Sequence, residues 1–178
     1  HQQTLVGMTT FEVIHEDVIN ELTQMYPLIK NLVKDDQAVI EAGFKKWAEN
    51  IIANGVPHNN WNLFQADFIV KIALVLQDNQ AYADGKGKQY YLDYIVNQNS
   101  IRQWSMNKLI DFGFDAKSKT WYESPGYSTT VLSSICDFAN MLDEKAGIDL
   151  FKLRPILTEA VKTSAEYLFP NRMIAGFG

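Results

Sequence analysis

Trp61-Asn62-Leu63-Phe64-Gln65-Ala66-Asp67-Phe68-Ile69-Val70-Lys71-Ile72-Ala73-Leu74-Val75-Leu76 is the stretch whose reading decides the fold. Trp61, Phe64, Phe68, Ile72 and Val75 recur at helical spacing on one face, while Ile69, Ala73 and Leu76 form a second. A helix that is apolar nearly all round is one that neighbours surround. This segment is therefore expected to be the central wall of a helical domain.

Before it, Ile40, Phe44, Trp47, Ala48 and Ile51 make the stripe of another helix, capped by Asp35 or Asp36 and stopped by Asn54-Gly55 with Pro57 beyond. Further upstream, Thr9-Thr10-Phe11-Glu12 has capping-box spacing, and Val13, Ile14, Val18, Leu22 and Met25 continue it until Pro27 ends or kinks the helix. Downstream, Asp84-Gly85-Lys86-Gly87 is a turn without the glycine spacing of a phosphate loop. Tyr90, Tyr91, Tyr94 and Ile95 mark a fourth helix. Ser100 caps a fifth that carries Ile101, Trp104, Met106, Leu109 and Ile110. Ser128 is expected to cap the sixth, which runs through Val131, Leu132, Ile135, Cys136, Phe138, Ala139 and Leu142 to Gly147. Pro155 opens the last, lined by Leu157, Val161, Ala165 and Leu168 and ended by Phe169-Pro170. No strand pattern interrupts this, so the fold class is all-α, one domain over residues 1–178 built of helical hairpins.

The chain has 178 residues with 47% hydrophobic and 21% charged side chains, the balance of a soluble globular protein. No run has the length of a membrane span, and no signal peptide opens the chain. The net charge of −5 argues against nucleic acid and, unless lysines gather at one site, against a polyanion. The single cysteine, Cys136, excludes an internal disulfide and a cysteine zinc site, and reads as a buried, inert thiol. His15 does not match a zinc pair, so neither metal nor cofactor is expected.

Two short stretches carry candidate chemistry. His58-Asn59-Asn60-Trp61 stands at the mouth of the buried helix. N-capping explains one asparagine and leaves the other, and a helix N-terminus suits an anionic group such as a carboxylate. Trp121-Tyr122-Glu123-Ser124-Pro125-Gly126-Tyr127-Ser128 is an aromatic passage read as a Pro-Gly turn outside any helix. Glu123 orients Tyr127, binds a sugar hydroxyl or pairs with a lysine. Trp104 and Tyr122 are either core residues or platforms for sugar rings.

Taken together, Asn-Asn-Trp before a buried helix and Gly113-Phe114-Asp115 followed by Trp-x-Glu-Ser-Pro-Gly-Tyr resemble the heparinase II/III-like polysaccharide lyases, oligo-alginate lyases included. The resemblance covers roughly Trp47 to Phe177. It implies that the hairpins form part of an (α/α) toroid, here a fragment lacking the following β-sandwich, which contributes a histidine of its own. It implies β-elimination on an anionic uronic-acid polysaccharide, in the periplasm or outside the cell. The family's asparagine falls on Asn59 or Asn60, binding the uronate carboxylate. Its tyrosine falls on Tyr127, as general base or acid. His58, Trp61, Glu123, Tyr122 and Trp104 would line the substrate. A basic tyrosine needs nearby cations, for which Lys117, Lys119 and Arg102 are the candidates. Trp61, Ser128 and Ala116 depart from the family pattern. The rival classes are a non-catalytic helical module that binds glycans or proteins, and a toroid glycoside hydrolase, which needs two carboxyl groups where only Glu123 is conspicuous.

Overall fold

The computed structural model describes residues 18–167, and among them the chain is helical with no strand; one isolated antiparallel bridge joins Phe114 and Trp121. The all-α class therefore stands. The chain divides into two compact units, residues 1–106 and 107–178.

The first unit is organised around α3 (Asn60–Val75), as its sequence anticipates. It packs against α1 (Val18–Ile29), α2 (Gln37–Asn54) and α4 (Lys88–Asn97). Leu63, Ala66, Ile69, Val70, Ile72 and Ala73 are all but completely buried. Each large aliphatic side chain so buried contributes roughly 1.5–3 kcal/mol. Phe64 is the exception to the all-round apolar reading, being more than a third exposed.

The helix before it corrects the expected register. Val18, Leu22 and Met25 are exposed, and the buried face is Ile19, Thr23 and Tyr26, one residue on. Polar side chains lie on the inner face because their polar ends are satisfied there. The Thr23 hydroxyl donates to the Ile19 carbonyl at 2.7 Å, and the Tyr26 hydroxyl donates to Glu41 at 3.1 Å. Pro27 lies inside α1, which ends two residues later. The expected Thr9–Glu12 start, with Val13 and Ile14, falls outside the described residues.

Phe44, Ala48 and Ile51 form the inner face of α2 as expected, joined by Glu41. Asp36 occupies the N-cap position, but its side chain makes no capping bond. Gly55 follows with φ −67°, so its role is not a left-handed turn. A Cβ there would sit 2.2 Å from Gln65 Nε2 and 2.8 Å from the carbonyl oxygens of Ile51 and Arg102, and only glycine fits. At the start of α4, the Asn79 side-chain oxygen accepts from the amides of Gly87 and Tyr90 and closes the Asp84–Gly87 turn.

The expected fifth helix does not begin at Ser100. Residues 98–105 form a loop, and α5 runs Met106–Gly113. Ser100 Oγ accepts from the amides of Arg102 and Gln103, which is hydroxyl turn chemistry without a helix behind it. Ile101 is 86% exposed, and the buried residues of this loop, Gln103 and Ser105, are polar. Side-chain amides rather than an apolar stripe hold the loop.

In the second unit, α6 spans Pro125–Ala146. The Ser-Pro-Gly sequence is thus a helix start, with Ser124 at the N-cap and Pro125 in the first turn, where its missing amide costs nothing. Ser128 is already inside the helix, and its Oγ accepts from the Trp121 amide at 3.2 Å. Gly147 ends α6 at φ +68°, and the amides of Gly147 and Ile148 return to the carbonyls of Asp143 and Leu142 as in a Schellman cap. The predicted inner face, Val131, Leu132, Ile135, Phe138, Ala139 and Leu142, is buried. Cys136 is only half-buried; burial first and the Asp137 charge second push its thiol up, away from the reactive thiolate. A four-residue helix, α7 (Leu150–Leu153), goes unannounced in the sequence and is capped by Asp149. In α8 (Ile156–Ser164) the buried residues are Leu157 and Ala160, whereas Val161 and Ala165 are exposed. Leu168 and Phe169-Pro170 lie outside the described residues.

Candidate functional site

The N-terminus of α3 is held by a net of buried amides. Gln65, wholly buried, accepts the Val56 amide at 2.8 Å and donates to Gln103 Oε1 at 2.9 Å. Gln103 in turn donates to the main-chain oxygens of Asn62 and Trp104. Asn62 then clamps the Trp104 backbone from both sides, donating to its carbonyl at 3.0 Å and accepting from its amide at 2.8 Å. Together these bonds fix the 98–105 loop beside the start of α3.

The two asparagines that the sequence leaves equivalent have different duties. Asn59 is the N-cap: its side-chain oxygen accepts the Trp61 amide at 3.0 Å. Asn60 is the first residue of the helix, half-buried, and its side chain has no hydrogen-bond partner among the described residues. His58 takes a left-handed conformation, φ +56°, and its ring lies 5.2 Å from that of Trp104 at a tilt of 53°. Trp61 is half-buried on the first turn. His58, Asn59, Asn60, Trp61 and Trp104 therefore all belong to this one end of the first unit.

Tyr122, Glu123 and Tyr127 belong to the second unit. Their anchor is Trp121, buried beneath Gly113 and edge-on to Phe114 at 5.4 Å. A Cβ on Gly113 would come within 2.0 Å of the Trp121 ring, so the glycine makes room for the indole. Glu123 accepts the Trp121 indole N–H at 2.9 Å and is thereby tied to the anchor. Tyr122 is 64% exposed, with its hydroxyl 3.5 Å from Asp115. Tyr127, in the first turn of α6, is 61% exposed, and its hydroxyl has no hydrogen-bond partner among the described residues. The Lys119 ammonium donates to the Ala116 carbonyl, and Arg102 belongs to the other unit.

A second constellation escaped the sequence reading. Glu41 is 1% exposed and gathers the Tyr26 and Tyr82 hydroxyls and the Gln37 and Gln77 amides within 3.1 Å, with the Lys30 ammonium at 3.3 Å. Burial pushes its pKa up, but the hydrogen bonds from Gln77, Tyr82, Gln37 and Lys30 outweigh that and hold the carboxyl below its ordinary value. Burial and the Glu41 carboxylate together raise the Tyr26 and Tyr82 phenols to about 12. The available signal was an acid set in line with Phe44, Ala48 and Ile51.

Among the described residues no three histidines, cysteines or acids are placed to hold a metal ion, and no helix is long and apolar enough to cross a membrane. Compared with protein-family models, curated proteins and solved structures, the chain matches none of them.

Proposed function

We propose that this chain is the helical, toroid-type part of a lyase that cleaves uronic-acid polysaccharides by β-elimination. The observation that carries the reading is the division of labour at α3, where Asn59 caps the helix and the Asn60 side chain has no hydrogen-bond partner among the described residues. The Asn60 amide stands at the positive end of a long, buried helix, where a uronate carboxylate is favoured. Holding that carboxylate stabilises the negative charge that develops when the neighbouring C5 proton leaves. The electron pair forms the C4–C5 double bond and expels the glycosidic oxygen, which needs a proton. The resemblance gives that acid step to Tyr127, whose hydroxyl is exposed and has no hydrogen-bond partner among the described residues. Lys119, a candidate to favour the phenolate, donates instead to Ala116. The C5 base would come from the histidine of the β-sandwich that the family likeness implies, so this chain supplies half of the site.

Joined to such a sandwich, the protein is expected to release unsaturated uronate ends, followed by ultraviolet absorbance. Tyr127→Phe should lower kcat by about 10²–10⁴-fold with little change in KM. A rate unaltered in Tyr127→Phe removes the tyrosine from the mechanism. The exposure of Tyr122 and Tyr127 also favours a second reading, a glycan-binding module without catalysis. That reading predicts saturable glycan binding and no unsaturated product.

A further inference from the structure

At the opposite end of α3 from Asn60, a pocket of about 840 Å³ opens between α2, the 76–87 connection and α4, within the first unit. Its size is that of a small-molecule site, for which about 300–1,000 Å³ is usual. Its walls carry four lysines (34, 45, 46 and 86) and four carboxylates (Asp35, Glu41, Glu49 and Asp84), a local balance of zero in a chain of net charge −5.

The inner charges are already matched. Lys45 donates to both oxygens of Asp84 at 2.7 and 2.9 Å and lies 4.1 Å over the Tyr82 ring. Lys86 donates to Glu49 at 2.8 Å, and the Tyr91 hydroxyl donates to the same oxygen at 3.0 Å. Glu41 is saturated as described above. An anionic ligand would face four carboxylates, and a cation would compete with ammonium groups already in place. What remains open is hydrogen-bonding capacity on a lining whose charges sum to zero. Gln37 and Gln77 each donate one amide N–H to Glu41, and their carbonyl oxygens accept from no described residue. Lys34 and Lys46, exposed and without a partner among the described residues, offer donors. Ala38 and Ala42, one helical turn apart on α2, line the pocket with small side chains.

We propose that this pocket binds a neutral polyhydroxylated ligand of one or two sugar rings, whose hydroxyls donate to the Gln37 and Gln77 carbonyls and accept from Lys34 and Lys46. A hydroxyl is both donor and acceptor, which matches a wall that presents both and carries no net charge. The site is independent of the lyase reading, since it shares no residue with His58–Trp61 or Tyr127.

Isothermal titration of the chain with cellobiose, maltose and lactose tests this, with glucuronate and inorganic phosphate as charged arms. Saturable binding of a neutral disaccharide is expected, weakened at least about tenfold by Ala42→Trp and by Ala38→Trp. Both replacements fill the pocket from exposed helix positions and leave the Glu41 hydrogen bonds in place, so the unfolding midpoint serves as their control. The proposal is overturned if no disaccharide binds at about 10 mM. It is equally overturned if binding persists in both folded variants, or if glucuronate or phosphate binds more tightly than the neutral sugars.

Discussion

Glu41→Ala is expected to cost about 3–5 kcal/mol of stability, because it removes one side of a buried, hydrogen-bonded ionic cluster and strands the rest. Globular domains hold only about 5–15 kcal/mol in total, so the loss is a large part of the whole. The Tyr26 and Tyr82 hydroxyls and the Gln37 and Gln77 amides would all lose their acceptor at once. Chemical denaturation followed by circular dichroism measures it, and a loss below about 1 kcal/mol would make the cluster incidental. The same cluster sets a pH window. Glu41 has a folded pKa below the ordinary 4.5, so its contribution is present above that value and is lost as pH falls through the folded one. Tyr26 and Tyr82 are raised from 10.0 to about 12, so theirs is complete below pH 10.0 and is lost as pH rises through about 12. Glu41→Ala should flatten both limbs of the stability profile.

Asn62→Ala is the second substitution with a large expected effect, about 2–3 kcal/mol. Asn62 is wholly buried, and the Trp104 amide would lose its acceptor at 2.8 Å. The Trp104 carbonyl keeps its bond from Gln103, which limits the loss. Since the Trp104 ring lies against His58, the imidazole proton shifts should lose their ring-current displacement in the variant. Asn60→Ala, two residues away and with no side-chain partner among the described residues to lose, should change stability by no more than about 0.5 kcal/mol.

The long apolar repeats were legible because burial leaves a period. Phe68, Ile69, Ile72 and Ala73, and Val131 to Leu142, are inner faces in the sequence and in the fold alike. What failed were places where polar atoms decide. The register of α1 slipped by one residue because Thr23 and Tyr26 look like surface residues until their bonds to Ile19 and Glu41 are seen. Ser100 has a helix cap's chemistry, yet its amide partners belong to a turn. Ser-Pro-Gly serves equally as a turn and as a helix start, and the Trp121 anchor settled which. Glu41 was invisible for a different reason: Tyr26, Gln77 and Tyr82 stand 15, 36 and 41 residues away in the chain. At the candidate site, the pair Asn59-Asn60 was legible; which of them caps was not.

That difference between the asparagines allows the most direct test of the proposed lyase role. Intrinsic tryptophan fluorescence of the chain, titrated with polyuronate, should report saturable binding through Trp61 and Trp104. Asn60→Ala should weaken it by at least about tenfold, whereas Asn59→Ser, which keeps a capping oxygen, should leave it nearly intact. Equal binding by the wild type and Asn60→Ala would contradict the assignment of the carboxylate to α3 and, with it, the account of this chain as half of a lyase site.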